Sequence, residues 1–229
     1  MFDFNVCIAL DESSSIELRS QGGTPGNYDD FIKPFAQELV EELRDVAAIT
    51  STTFQSSIVE FNQTAVVSSP LTDDPDLTIA NINNLEWDEG NTNHEDAILK
   101  CQSTLPTPSS GAKNFIVLLT DGDPNVCASD ACARTNSTGA CPLSNCVPAQ
   151  NAATNAATIV KNDGTIMLPV FIERPPNFFY TPPPQNETQA IIDYMNDLSS
   201  EGFDVPVSNF TGLGEIVLDI KQEILCGGF

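Results

Sequence analysis

Apolar and polar positions alternate along this chain in two different rhythms. Residues 6–10 (Val-Cys-Ile-Ala-Leu), 115–120 (Phe-Ile-Val-Leu-Leu-Thr) and 166–172 are short, largely apolar runs, the first two followed directly by an Asp. Unbroken runs of this length predict strands buried on both faces, since a half-exposed strand would alternate with polar residues. Between them the period lengthens. Phe31, Phe35, Leu39, Val40 and Leu43 recur at helical spacing with acids on the opposite side. Further helices are predicted over 77–82, 93–105, 148–161 (Ala-rich, stopped by Gly164), 189–198 and 213–225, the last with Ile216, Ile220 and Ile224 along one face. Residues 54–61 and 65–67 read as two strands around a turn at Asn62-Gln63, and 205–207 as an edge strand, where Pro206 is tolerated.

Strands alternating with helices predict an α/β fold, a mainly parallel sheet covered on both faces. In such sheets ligands bind beyond the carboxyl ends of the strands, and that rule selects the loops to read for chemistry. The first is Asp11-Glu12-Ser13-Ser14-Ser15, a D-x-S-x-S pattern in which alternate residues aim a carboxylate and two hydroxyls at one point. The plainer reading is that Asp and Ser cap a following helix. The second loop is Gly90-Asn91-Thr92-Asn93-His94-Glu95-Asp96 and the third Thr120-Asp121-Gly122.

In this order and setting, the three loops closely resemble the von Willebrand factor type A domain with its metal-ion-dependent adhesion site, the integrin inserted domains included. The resemblance implies a doubly wound, Rossmann-like sheet with one antiparallel edge strand. It also implies one domain spanning 1–229, with a Cys-rich insert at 124–147 and a Pro-rich insert at 173–188 rising on the metal face. Carried over by position, it implies that Ser13, Ser15 and Thr92 ligate Mg²⁺ through hydroxyls, with Asp11 and Asp121 acting directly or through water. Mn²⁺ or Ca²⁺ could substitute in such an all-oxygen site. The remaining coordination position would take a carboxylate of an extracellular protein or glycan. Neutral hydroxyls suit that role, because they leave the ion electrophilic toward an outside acid. The sequence departs from the family pattern at Glu12, His94 and Glu95; Glu12, Glu95, Asp96 and Asp123 are expected to point to water, and His94, the only histidine, to be a solvated loop residue.

Charge narrows the partner. Thirty-two acidic against 9 basic residues give a net charge of -23, a field that repels nucleic acid and anionic lipid and attracts cations and basic surfaces. No apolar run is long enough for direct membrane insertion. The start, Met1-Phe2-Asp3-Phe4, lacks the features of a signal peptide and reads as an initiator Met before a domain excised from a longer protein. Seven cysteines and four Asn-x-Ser/Thr sequons, at Asn62, Asn136, Asn186 and Asn209, favour an extracellular or cell-surface setting and glycosylation. There, Cys127, Cys132, Cys141 and Cys146 are expected to form two disulfides rather than a Zn²⁺ site, with three pairings open. Cys7, Cys101 and Cys226 leave an odd thiol, and mid-strand Cys7 is expected to be the buried free one.

The expected function is therefore an adhesive ligand-binding module, not an enzyme. One alternative is an acidic, cation-binding matrix module in which the metal site is incidental. A lesser one is a Mg²⁺-dependent phosphatase, from the Asp121-Gly122-Asp123 sequence after a strand. That chemistry would want the acid pair near the domain start and a suitably placed Lys, and it leaves D-x-S-x-S unexplained.

Overall fold

The first apolar run becomes β1 (Asp3–Asp11), the strand around which the sheet is built. The others are β2 (Phe54–Phe61), β3 (Ala65–Thr72), β4 (Ala112–Thr120), β5 (Thr165–Ile172) and β6 (Val207–Ser208), in the order β3-β2-β1-β4-β5-β6. Every pairing is parallel except β2 with β3, the antiparallel edge hairpin. The computed structural model describes residues 2–17, 23–107, 111–127, 146–173, 185–203 and 205–226, with backbone only at 185–188 and 226.

Helices α2 (Lys33–Thr50), α3 (Pro75–Asn83), α4 (His94–Thr104), α5 (Val147–Asn162), α6 (Gln185–Leu198) and α7 (Leu213–Cys226) supply the crossovers and flanks, and a short α1 (Ser14–Glu17) follows β1. One π-helical turn, Tyr28–Ile32, runs straight into α2. Asp74 caps α3 by accepting a hydrogen bond from Leu77 N at 3.1 Å, which starts that helix at Pro75.

Side chains of a strand alternate between faces, so β1 divides into two sets. Phe4, Val6, Ile8 and Leu10 pack with Phe35, Leu39 and Leu43 of α2 and Val217, Ile220 and Ile224 of α7. Cys7 and Ala9 face the other way, against Ala97, Ile98 and Cys101 of α4, Ala153, Ala156 and Ala157 of α5, and Met195 and Leu198 of α6. On this second side a disulfide joins Cys7 to Cys101, with a Cα–Cα distance of 5.5 Å. The expectation of a free thiol at Cys7 is thereby corrected. Alternation points Cys7 at α4, and helical spacing brings Cys101 to the same place.

Candidate functional site

Parallel pairing brings the ends of β1 and β4 level. Leu10 lies opposite Leu119, so Asp11 and Thr120 leave the sheet side by side, and the Thr120 hydroxyl donates to Asp11 Oδ2 at 2.6 Å. The other Asp11 oxygen accepts from Ser13 N at 2.8 Å, which folds the first loop back over the strand end. Ser15 Oγ donates to Asp121 Oδ1 at 2.7 Å, and Ser13 Oγ lies 3.0 Å from Ser15 Oγ. Since the Ser15 proton goes to a carboxylate, Ser13 is the donor in that pair. Hydrogen bonds thus join Asp11, Ser13, Ser15 and Asp121 into one cluster beyond the carboxyl end of the sheet.

Two glycines hold the first loop in place. A Cβ on Gly23 would lie 2.5 Å from Ser15 O and 2.6 Å from Glu17 N, so only glycine lets the chain pass behind the serines. A Cβ on Gly90 would strike the Asn62 side chain at 2.7 Å, and the Gly90 carbonyl accepts from both Ser14 N and Ser14 Oγ. The second loop is fastened to the third as well. Thr92 N donates to Asn125 Oδ1 at 2.8 Å, and Thr92 O accepts from Asn125 N and Val126 N. The backbone of Thr92 carries these contacts. Asn93 caps α4 through Asp96 N, so Thr92 stands just ahead of the helix start. The three predicted loops converge, and Thr92, although 4% exposed, is held by Asn125 rather than by the Asp11–Asp121 cluster.

Burial dominates the electrostatics. Asp11 is fully buried, and its carboxyl is pushed up to about 7 by that burial and then by Asp121, against the lowering effect of Thr120 and Ser13. The neighbouring Asp121 charge disfavours ionisation of Asp11, and a cation bound there would relieve it. The donor set is all oxygen, two carboxylates with hydroxyls, which fits a hard divalent ion. Among the described residues no group of three or more His, Cys, Asp and Glu could hold a metal, so hydroxyls would have to complete any coordination here.

The departures from the family pattern lie elsewhere than expected. Glu12 is 7% exposed, turned inward rather than to water. Asn62 Nδ2 and Asp88 N donate to it at 3.2 and 3.3 Å, and burial followed by the nearby Glu60 raises its carboxyl to about 8. Strand alternation explains the position: Asp11 faces the α4 side, and Glu12 the α2 side. There Glu60 accepts from the Tyr28 hydroxyl at 2.6 Å and from Ser68 Oγ at 2.5 Å. Asp96 accepts from Ala65 N at 2.7 Å, Asp123 accepts from Gln150 Nε2 at 3.0 Å, and Glu95 is half-buried. His94 is not solvated but fully enclosed as the first residue of α4. Its Nδ1 lies 3.0 Å from the Tyr194 hydroxyl and its Nε2 3.1 Å from Thr120 Oγ1, and burial lowers it to about 3. Sequence reading missed Thr120, Asn125 and Tyr194. Only Thr120 carried a usable signal, its place opposite Asp11 at a parallel strand end.

Cys127 and Cys146 are each disulfide-bonded; Cys132, Cys141 and Asn136 lie outside the described residues, as do the side chain of Asn186 and most of the Pro-rich insert. Asn209 is exposed and caps the 3₁₀ turn Phe210–Gly212. Asn62 is half-buried, and its amide nitrogen donates to Glu12 and to Asp88 O.

The sequence profile of the von Willebrand factor type A domain matches residues 5–159. The chain belongs to that family. Among solved structures it is similar to the von Willebrand factor domain of the type V pilus tip protein Mfa5 from Porphyromonas gingivalis, with a TM-score of 0.72 at 13% identity, covering 99% of this chain and 96% of that one. It is also similar to proximal thread matrix protein 1 of the mussel byssus with a zinc-occupied metal-ion-dependent adhesion site, with a TM-score of 0.64 at 15% identity over 98% of this chain and 46% of that one. A third is the pilus adhesin SpaC of Lactobacillus rhamnosus GG, with a TM-score of 0.68 at 12% identity over 98% of this chain and 31% of that one. The chain therefore spans less than half of those two longer proteins. No curated protein sequence matches it. At these identities the structural likeness establishes the fold.

Proposed function

We propose that this chain is an extracellular ligand-binding module that captures a carboxylate of a partner through one divalent cation, Mg²⁺ in the first instance. Asp11, Ser13, Ser15, Thr92 and Asp121 would hold the ion, and the remaining position would take an Asp, a Glu or an acidic sugar. The observation that carries this reading is the hydrogen-bonded cluster of two buried carboxylates and two hydroxyls where three loops meet at the strand ends. The zinc-occupied site of the mussel byssus protein supports the choice of a divalent metal. In this reading residues 1–229 act as one unit, with the inserts at 124–147 and 173–188 shaping access to the ion.

The buried Cys7–Cys101 disulfide supports an oxidising compartment, and no helix among the described residues is long and apolar enough to cross a membrane. Glycosylation is assigned first to Asn209, whose exposed side chain accepts from the Thr211 hydroxyl through Oδ1. Asn62 is the poorer acceptor, since its amide nitrogen is committed to Glu12 and Asp88. The test is a binding screen against extracellular proteins and glycans in Mg²⁺ and in EDTA. A partner lost with EDTA and with Thr92→Ala at low salt supports metal capture.

A second reading rests on the net charge of -23: an acidic matrix module that binds basic polymers by its field. A partner indifferent to EDTA and released by moderate salt would favour it.

A further inference from the structure

The fully buried ring of His94 bridges α6 and the strand ends, and the direction of its hydrogen bonds follows from counting protons. Thr120 Oγ1 has one hydrogen and lies 2.6 Å from Asp11 Oδ2. An ionised carboxylate only accepts, and a metal ligand must be ionised, so the Thr120 proton points at Asp11. The ring nitrogen that faces Thr120 at 3.1 Å must then carry a hydrogen. The ring is fully buried and its two nitrogens face neutral hydroxyls, Tyr194 and Thr120, rather than a carboxylate, an enclosure that favours the neutral imidazole with one N–H. Nδ1 is left bare, to accept from the Tyr194 hydroxyl at 3.0 Å. Phe61, edge-on at 5.8 Å, and the Tyr194 ring, stacked at 5.9 Å, fix the plane of the imidazole.

We propose that His94 is a positioning residue for the cation site: Tyr194 of α6 locks its Nε2–H tautomer, and that N–H fixes the Thr120 hydroxyl on Asp11 Oδ2. Donation runs one way, from Tyr194 to His94 to Thr120 to Asp11. Without it the Thr120 proton has a second acceptor, the Gly122 carbonyl at 3.4 Å, and Asp11 loses the contact that sets its carboxylate plane. Strand alternation puts Asp11 and Thr120 on the side of the sheet covered by α4 and α6, which carry His94 and Tyr194. This role rests on the metal reading above, and it adds that α6 is tied directly to that site.

Because His94 is the only histidine, a long-range ¹H–¹⁵N spectrum of the Mg²⁺-loaded protein reports its tautomer without ambiguity. Protonated Nε2 with bare Nδ1 is the expected result; protonated Nδ1 overturns the proposal. Calorimetry with Mn²⁺ gives the functional readout. His94→Leu should weaken Mn²⁺ binding about tenfold or more, the usual scale for a lost partner of a metal ligand. His94→Gln should recover most of it, since an amide can donate to Thr120 and accept from Tyr194. Tyr194→Phe should mix the two tautomers and weaken binding about threefold, the scale of one neutral hydrogen bond. A folded His94→Leu protein with wild-type affinity sinks this role alone. A wild-type protein that binds no Mn²⁺ sinks the metal reading and this role with it. If His94→Leu does not fold, the wild-type tautomer and Tyr194→Phe decide.

Discussion

The two faces of the sheet are built from different materials. On the α2–α7 side the core is large and apolar, with Phe4, Phe35, Phe115, Leu39 and Ile220 among its members. On the α4–α6 side large side chains such as Phe61, Ile98, Leu118 and Met195 share the core with a set of alanines, Ala9, Ala97, Ala153, Ala156 and Ala157, and with Cys7 and Cys101, and the buried His94 lies beside them. The first face can draw its stability from buried area, which grows with side-chain size. The second buries less per residue and adds specific links: the Cys7–Cys101 bridge from β1 to α4, and the hydrogen-bond line from Tyr194 to Asp11. That asymmetry places the cross-links behind the candidate metal ligands. Asp11 and Thr120 point to the linked side, and α4 begins two residues after Thr92.

The contrast can be broken most forcefully on the apolar side. Phe35→Ala should cost about 3–5 kcal/mol in urea unfolding, whereas the matching insult on the other face, Ala153→Leu, should cost about 1–3 kcal/mol by overpacking. Equal costs would mean that the two faces are not mechanically different. Next comes the double variant Cys7→Ala with Cys101→Ala, which reopens a 94-residue separation and should lose about 2–4 kcal/mol. An unchanged midpoint would show that the linked face does not depend on its bridge.

Glu12 gives a smaller effect that depends on pH. Its carboxyl rises from 4.5 to about 8 in the folded protein. Between those values the folded state holds a proton that the unfolded state has released, so this group's contribution to stability falls as pH rises through that window. Glu12→Gln removes the titration. The stability of wild type relative to Glu12→Gln should therefore fall from pH 5 to pH 8 in metal-free buffer, measured by paired melts. A flat difference would contradict the burial of that carboxyl.

Strand runs and helical spacing made most of the fold legible, because burial on both faces leaves a strong signal in a parallel sheet. The predicted helix over 213–225 is α7 with ends moved by a residue at most. Local pattern failed where a side chain's fate depends on distant chain. His94 sits beside acids in a polar loop sequence, yet the start of α4 turns it between Phe61 and Tyr194, the latter 100 residues away. Glu12 looked solvated for the same reason, since Asn62 and Asp88 come from other loops. Cys7 read as a lone core cysteine until α4 brought Cys101 across. Of the candidate site, Asp11, Ser13, Ser15 and Asp121 were legible as motifs, whereas the clamp of Asn125 on Thr92 was not, because nothing in the third loop marks that asparagine.

The measurement that bears most directly on the central claim is calorimetric titration of Mg²⁺ and Mn²⁺ into wild type and Asp121→Ala, each with a metal-free melt. Asp121 raises the Asp11 carboxyl, so removing it relieves a buried like-charge pair and should leave the metal-free melting temperature unchanged or higher. Wild type should bind one ion and the variant none at comparable concentration, a loss that unfolding cannot explain. Equal affinity and stoichiometry in the two proteins would contradict the assignment of the cation to this cluster.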